Sequence, residues 1–317
     1  MARYLLRRIL LAIPTLFLVT VIIFVIQRVV PGNPALALSG EERNPQVIAY
    51  ITREYHLDAP LPLQYIYWIR DALKGNLGVS IQSQIPVAHL IAEKLPITFE
   101  LAVLSALISL VLGVPAGALA ASHPHRAWDY LSSTLSLAGL SIPSFWLGIL
   151  LILLFAVKLN WLPATGYVSP EHSLLGNLRH MILPAFVLGS GLAAVIMRQT
   201  RGAMLEVLSA EYIRTARAKG LSERIVTYKH ALRNALIPVI TVSGLQLGAL
   251  LSGAVVTEQV FGIPGFGYMI VSAVFSRDYP VVQGAVLVIA TLYIAVNLLV
   301  DLAYAAANPK IRLGGEA

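Results

Sequence analysis

The chain contains no cysteine. Disulfide frameworks, thiolate metal sites and cysteine nucleophiles are therefore excluded. Charge is scarce as well: Asp, Glu, Lys and Arg make up 12% of the residues, where soluble domains hold about a quarter. A third absence is a Gly-x-x-x-x-Gly-Lys-Ser/Thr loop, so no phosphate cradle for ATP hydrolysis is encoded. No removable signal peptide is expected either. Arg3, Arg7 and Arg8 precede an apolar run from Ile9 to Val30 that is too long for a signal core and lacks a small-residue cleavage site. It reads as a membrane anchor.

What the sequence does have is hydrophobic length. Apolar residues are 57% of the chain, and mean hydropathy is +0.75. Six runs suit a ~30 Å hydrocarbon layer, which needs about 20 residues of helix. They are Ile9–Val30, Ile97–Ala121, Leu131–Val157, Met181–Gln199, Leu236–Val256 and Gln283–Ala305. None alternates as a barrel strand does, and only helices or closed barrels satisfy their own backbone in lipid. The expected fold is an all-α polytopic membrane protein with six transmembrane helices.

The net charge of +7 raises nucleic acid as a partner, but the placement of the basic residues argues for topology instead. With the N-terminus inside, the short inner segments carry fourteen Lys and Arg, among them Arg126, Arg198, Arg201, Lys310 and Arg312. The short outer loops carry only Lys158, Arg179 and Arg277. That asymmetry puts both termini in the cytoplasm. The long segment 31–96 falls outside, with "PQVIAYITREYHL" and "PLQYIYWIRDALKG" as two short amphipathic helices. Its Tyr65, Tyr67 and Trp68 suit a membrane–water interface, and the segment either caps the outer surface or receives a partner.

One polar block interrupts the apolar pattern: "AEYIRTARAKGLSERIVTYKHALRNALIP", Ala210 to Pro238. Its eight charged side chains would cost about 20–28 kcal/mol at the bilayer centre, so it is no seventh span. Alanines and long straight side chains predict a helix up to Gly220, a natural terminator, with Ser222 capping the next. Ile213, Ala216 and Gly220 share a face small enough for another protein to approach closely, while Arg214, Arg217 and Lys219 project around it. A solvated inner loop is the plain reading; the helix–Gly–helix layout suits a docking surface.

Other chemistry has little support. The span midpoints carry no charge, and Glu100, Glu258 and Asp301 lie near span ends, so an ion-coupled carrier lacks its coupling group. Ser190 and Ser252 have no histidine within any span to activate them and read as small residues at helix contacts. His123 and His125 lack further ligands and read as a solvated turn rather than a metal site. Pro143 predicts a kink in the third span beside Ser144. In the fifth span, Thr241, Ser243, Gln246 and Ser252 either face a cavity or bond neighbouring helices. Ser144, Ser243 and Gln246 are the candidates for a translocation path. "FGIPGFGYM" predicts a tight turn or re-entrant element.

The block resembles the cytoplasmic coupling loop of permease subunits in ATP-binding-cassette importers, in the version found in the dipeptide/oligopeptide/nickel branch. Arg214 and Thr215 stand where the general pattern has its Glu and first Ala, Ala216 and Gly220 match, and Arg233 replaces a later proline. The branch itself carries His230, Arg233, Asn234 and Pro238. Similarity extends through "YLLRRILLAIPTLFLV", "PGNPA" (Pro31–Ala35), "GNLGVSIQSQIPV", "SIPSFWLGILLILLFAVKLNWLPATGY", "TEQVFGIPGFG", "SRDYPVVQG" and "NLLVDLAYAAANPKIR", in the branch's order. The resemblance implies a type I importer permease fold in the inner membrane of a prokaryote. Residues 1–30 are then the first transmembrane helix, 31–96 an extracytoplasmic segment, and 97–317 a core of five transmembrane helices with its coupling loop at 203–234. ATPase coupling falls to Glu211, Ile213, Arg214, Thr215, Ala216, Arg217, Ala218, Lys219, Gly220 and Leu221. The implied partners are a second homologous permease subunit, two ATPase subunits, an extracytoplasmic substrate-binding protein and membrane lipid, with no nucleic acid. ATP and Mg belong on the ATPase subunits, and this chain itself holds no cofactor and catalyses no reaction. The branch's cargoes are short peptides, glutathione and nickel chelates.

Overall fold

Residues 2–29, 45–54 and 58–307 are described by the computed structural model. The Pro31–Ala35 motif and the Asn308–Arg312 end of the last motif lie outside them. The helices in chain order are α1 (Ala2–Val29), α2 (Pro45–Glu54), α3 (Leu61–Leu73), α4 (Val87–Ser122), α5 (Ala127–Ser141) and α6 (Ser144–Leu151). A wider-wound turn, Ile152–Lys158, continues α6. Then come α7 (Leu174–Leu208), α8 (Glu211–Ala218), α9 (Leu232–Phe261), α10 (Phe266–Phe275) and α11 (Tyr279–Ala307). Among the described residues the only β pairing is a bridge from Val79 to Pro86.

Four stretches are unbroken and apolar enough to cross a bilayer: Leu10–Val29, Val87–Ser122, Leu174–Leu208 and Tyr279–Val300. Two more are bent: α5 meets α6 at 102°, and Ala254–Phe261 meets α10 at 81°. Counting each bent pair once gives up to six spans. The kink expected at Pro143 is a full break. A residue before proline is pushed out of the helical region, and Ile142 is extended at φ −80°, ψ 122°. The second bend is closed by Gly262 in the left-handed region, with the Ile263 amide donating to Glu258 O at 2.9 Å. That is a Schellman closure, and Pro264 follows it.

Contacts divide the chain into two units, residues 1–96 with 268–298 and residues 97–267 with 299–317. In the first, α3 lies on α1 through aromatic packing: Phe24 stacks on Trp68 at 6.2 Å and meets Tyr65 edge-on at 5.4 Å. Tyr65 also shares a 2.8 Å hydrogen bond with Thr20. These aromatic residues, expected at a lipid interface, thus hold α3 to its neighbour. Two of the recurring motifs meet in the same unit. The buried Asp278 carboxylate of "SRDYPVVQG" accepts from Ser80 Oγ at 2.5 Å and from the Ile81 amide at 3.2 Å, both in "GNLGVSIQSQIPV".

In the second unit, helix backbones touch directly. A Cβ on Gly117 of α4 would lie 2.5 Å from Met197 O, and one on Gly189 of α7 would lie 2.6 Å from Ser105 O. Small residues at such crossings let helices pack without a hydrophobic driving force, as lipid-embedded helices must. Ser190, beside Gly189, donates to Val187 O of its own helix at 2.8 Å, and its carbonyl would lie 3.5 Å from a Cβ on Gly139 of α5. The side chain of Ser252 lies outside the described residues. Ser136 Oγ ties α5 to Ala194 O of α7 at 3.0 Å. Leu101, Met181, Phe261 and Ile263 form a buried core beneath the Gly262 turn. In the loop before α7, Tyr167 donates to Glu100 Oε2 at 2.8 Å. Burial, and then the adjacent Glu100 carboxylate, hold the Tyr167 phenol far above its ordinary range.

Gly117→Leu is expected to cost about 3 kcal/mol, the upper end for over-packed sites, and to lower the unfolding temperature in detergent. Gly202→Ala is the control, since a Cβ there meets nothing within 4 Å. It should raise stability by about 0.5–1 kcal/mol.

Candidate functional site

The polar block folds as α8, a turn at Gly220, a short helical turn Glu223–Ile225, and a wider-wound turn Val226–Ala231 that leads into α9. Ala210 occupies the N-cap position of α8 and accepts from the Ile213 amide at 3.0 Å. The helix stops at Gly220, whose φ is +79°. There the Gly220 amide donates to Arg217 O at 2.9 Å and the Leu221 amide to Ala216 O at 3.4 Å, a second Schellman closure. A Cβ on Gly220 would meet nothing within 4 Å. Glycine is needed here for its left-handed backbone, not for space.

Ile213 and Ala216 are buried, and this corrects the reading of their face as the one offered to another protein. They pack into a cluster with Ala118 and Ala121 from the end of α4, Ala203 and Met204 from the end of α7, and Val226, Ala231 and Ala235 around the start of α9. Alanines dominate the cluster, so the helix ends converge closely and Met204, Ile213 and Val226 fill the remaining space. Gly220 does not join them; it is exposed. The face turned outward holds Glu211, Arg214, Thr215, Arg217, Ala218 and Lys219, with Tyr212 44% exposed and Leu221 37% exposed.

Charges on that face are organised locally. Arg214 bonds Glu211 at 2.8 Å one turn back, and Arg217 reaches across the Gly220 turn to Glu223 with two hydrogen bonds, at 2.8 and 3.3 Å. Exposed pairs of this kind add little stability; the second bridges α8 and the turn that follows it. Asn234 donates to Tyr212 Oη at 2.8 Å and to His230 O at 3.2 Å, which ties α8 to the first turns of α9. Sequence reasoning assigned Asn234 only by resemblance, and its partner lies 22 residues away.

The three path candidates are not equivalent. Gln246 lines an open cleft of about 300 Å³ with Gly139, Leu140, Gly191, Val195 and Leu250. Ser243 donates to Val239 O of its own helix at 2.8 Å, and Thr241 does the same to Ile237 O at 3.1 Å. Ser144 is exposed at the first residue of α6. Only Gln246 therefore presents a polar group to the cleft. Glu258, near the end of α9, is fully buried and accepts a hydrogen bond from Thr98, whose Oγ1 also accepts from the Phe266 amide at 2.8 Å. Thr98 thus caps the start of α10 and is itself held by Glu258, which faces Gly265, where a Cβ would come within 2.5 Å of the Glu258 carboxylate. Among the described residues no three His, Cys, Asp or Glu converge on a metal-sized site. His125, at φ +61°, instead donates its amide to Asp129.

Up to six spans, two of them broken, and an amphipathic helix seated on the converging ends of three helices define a polytopic helical membrane protein. The chain belongs to the family of binding-protein-dependent transport system inner membrane components, whose model matches residues 113–313, while the model for the N-terminal part of these components matches residues 1–102. Among curated relatives it is 44% identical to the glutathione transport system permease protein GsiC of Escherichia coli (strain K12), over 98% of this chain and 99% of that protein. It is likewise 44% identical to the di/tripeptide transport system permease protein DppB of Pseudomonas aeruginosa (strain UCBPP-PA14), with the same coverage. Among solved structures, inward-facing forms of the MetNI methionine ABC transporter match with TM-scores of 0.55 and 0.56 at 18% and 19% identity, covering 69% of this chain and 96% of theirs. The fold is that of an ABC importer permease.

Ile213→Ala should undock α8 at a cost of about 2–4 kcal/mol. Trypsin cleavage after Arg214, Arg217 or Lys219 should then quicken several-fold in membranes, while Thr215→Ala on the exposed face should leave the rate unchanged.

Proposed function

We propose that this chain is one permease subunit of an ATP-driven importer of short peptides, working by alternating access. The observation that carries the reading is identity of 44–45% along 98% of the chain to permeases named for glutathione and for di- and tripeptides. Its partners are a second homologous permease subunit, two ATPase subunits and an extracytoplasmic substrate-binding protein. ATP and Mg bind the ATPase subunits, and this chain supplies no catalytic group. The inner surplus of Lys and Arg supports cytoplasmic termini and a cytoplasmic α8.

On this reading α8 is the coupling helix. Glu211 through Leu221 rest in a groove of an ATPase subunit by their polar face and on the membrane helices by Ile213 and Ala216. When the ATPases close on nucleotide, the helix moves as a rigid piece and carries the ends of α4, α7 and α9 with it. Cargo passes beside Gln246, whose amide matches the donor and acceptor of a peptide bond. Glutathione, itself a tripeptide, is as well supported by the relatives as dipeptides are, and a nickel chelate is the remaining alternative.

Competition for uptake into vesicles bearing the full complex and its binding protein discriminates the cargoes: dialanine and glutathione are expected to be imported, and import of neither would remove the peptide reading. Coupling has its own test. Gly220→Val forces a β-branched residue into left-handed backbone, a strain of about 1–2 kcal/mol or more, and should abolish uptake and stimulated ATP hydrolysis while membrane insertion persists. Gly220→Asn tolerates that backbone and should retain most activity.

A further inference from the structure

We propose that Asp129 and Arg201 form a positioning clamp that passes the motion of α8 into the broken span α5–α6, so that cargo movement stays tied to ATP hydrolysis. The proposal rests on the reading of α8 as the coupling helix.

The pair is built for stiffness. Arg201 Nε and Nη2 donate to Asp129 Oδ1 and Oδ2 at 2.6 and 2.9 Å, a bidentate fork on a carboxylate that is only 6% exposed. Two parallel charge-assisted bonds fix orientation as well as distance. The same carboxylate accepts from the His125 amide at 3.0 Å and so gathers the α4–α5 turn into the joint. Asp129 lies in the first turn of α5, where a negative charge suits the helix dipole.

Its place in the fold gives the clamp its role. Arg201 lies on α7, and the next turn of that helix, Ala203 and Met204, packs directly on Ile213 and Ala216 of α8. At the same level a Cβ on Gly117 of α4 would come within 2.7 Å of Thr200 Cβ and 3.1 Å of the Arg201 amide, and Ser132 of α5 donates to Ala116 O of α4 at 3.3 Å. Three helices are thus locked in one layer immediately beside the α8 seat. α5 then leads to the 102° break at Ser141–Pro143. A push on α8 that reaches α7 is shared with α5 through Asp129–Arg201 and arrives at the break, the point in this layer able to change angle. Without the pair, the start of α5 is released from α7, only the neutral Ser136–Ala194 bond and packing further along still join the two helices, and the drive to the broken span is weakened. Loss of Arg201 also strands the buried Asp129 carboxylate, so the helices part rather than re-form the contact.

The test uses the whole complex with its ATPase subunits and binding protein in vesicles, with radiolabelled dialanine and glutathione as probes. Asp129→Asn and Arg201→Gln are each expected to lower cargo imported per ATP hydrolysed by about tenfold, with hydrolysis kept within about twofold of the unaltered complex. The charge-swapped double variant, Asp129→Arg with Arg201→Asp, should restore part of the ratio, since it regains the ion pair but not the His125 amide bond. Arg201→Lys, which keeps the charge and loses the fork, should fall between and serves if the single variants fail to assemble. An unchanged ratio in the single variants or in Arg201→Lys overturns the clamp. So does a parallel loss of uptake and hydrolysis that the swap does not rescue, which marks a purely structural pair. An unaltered complex that hydrolyses ATP and imports neither probe overturns the functional reading beneath it.

Discussion

Everything mechanical in this protein depends on the seat of one short helix. α8 has eight residues, too few to persist alone in water. It is held by the burial of Ile213 and Ala216 among alanines donated by α4, α7 and the start of α9. Because the interior is close-packed, a displacement of α8 is not absorbed locally and must move its neighbours. The polar side of the same helix is left free, with its arginines steadied by Glu211 and Glu223 and not consumed by contacts to the rest of the chain. One side grips the membrane helices and the other is available to a partner.

Rigidity at the seat is matched by two places where the spans are broken. At Pro143 the backbone leaves the helix because proline removes a donor and restricts Ile142; at Gly262 it leaves through a left-handed glycine. Both breaks are well defined. The second is pinned by Glu258, Thr98 and the Phe266 amide in a buried network that glycine at 265 allows. Broken helices supported by neighbouring protein are tolerated at membrane depth because their freed backbone groups find partners there. In the proposed importer, such breaks give rigid segments defined points at which to turn.

Much of this was legible in the sequence, because lipid imposes a length and a polarity that a linear reading can detect. The existence of the spans, the helix ending at Gly220, the turn at Gly262 and the two short helices α2 and α3 all follow from local rules. The rest depends on contacts that no local rule reaches. Helical spacing put Ile213 and Ala216 on one face but could not say whether that face looks inward or outward; the alanines that cover it come from positions 118 to 235. Asp278 is 198 residues from Ser80, and Asp129 is 72 from Arg201. None was legible as half of a pair. Pro143 announced a bend, while its size was set by the packing of α5 and α6 against α7. Ser243 looked like a path residue, but its hydroxyl is satisfied one turn back in its own helix.

The most direct test of the central claim uses the absence of cysteine, which makes any introduced thiol unique in the chain. A cysteine at the exposed Thr215, in complexes whose ATPase subunits carry single cysteines along their docking groove, should form a disulfide with the ATPase in a yield that changes when ATP binds. A cysteine at the buried Ile213 should not. Failure of position 215 to crosslink at any groove position, or equal crosslinking from position 213, would contradict the account.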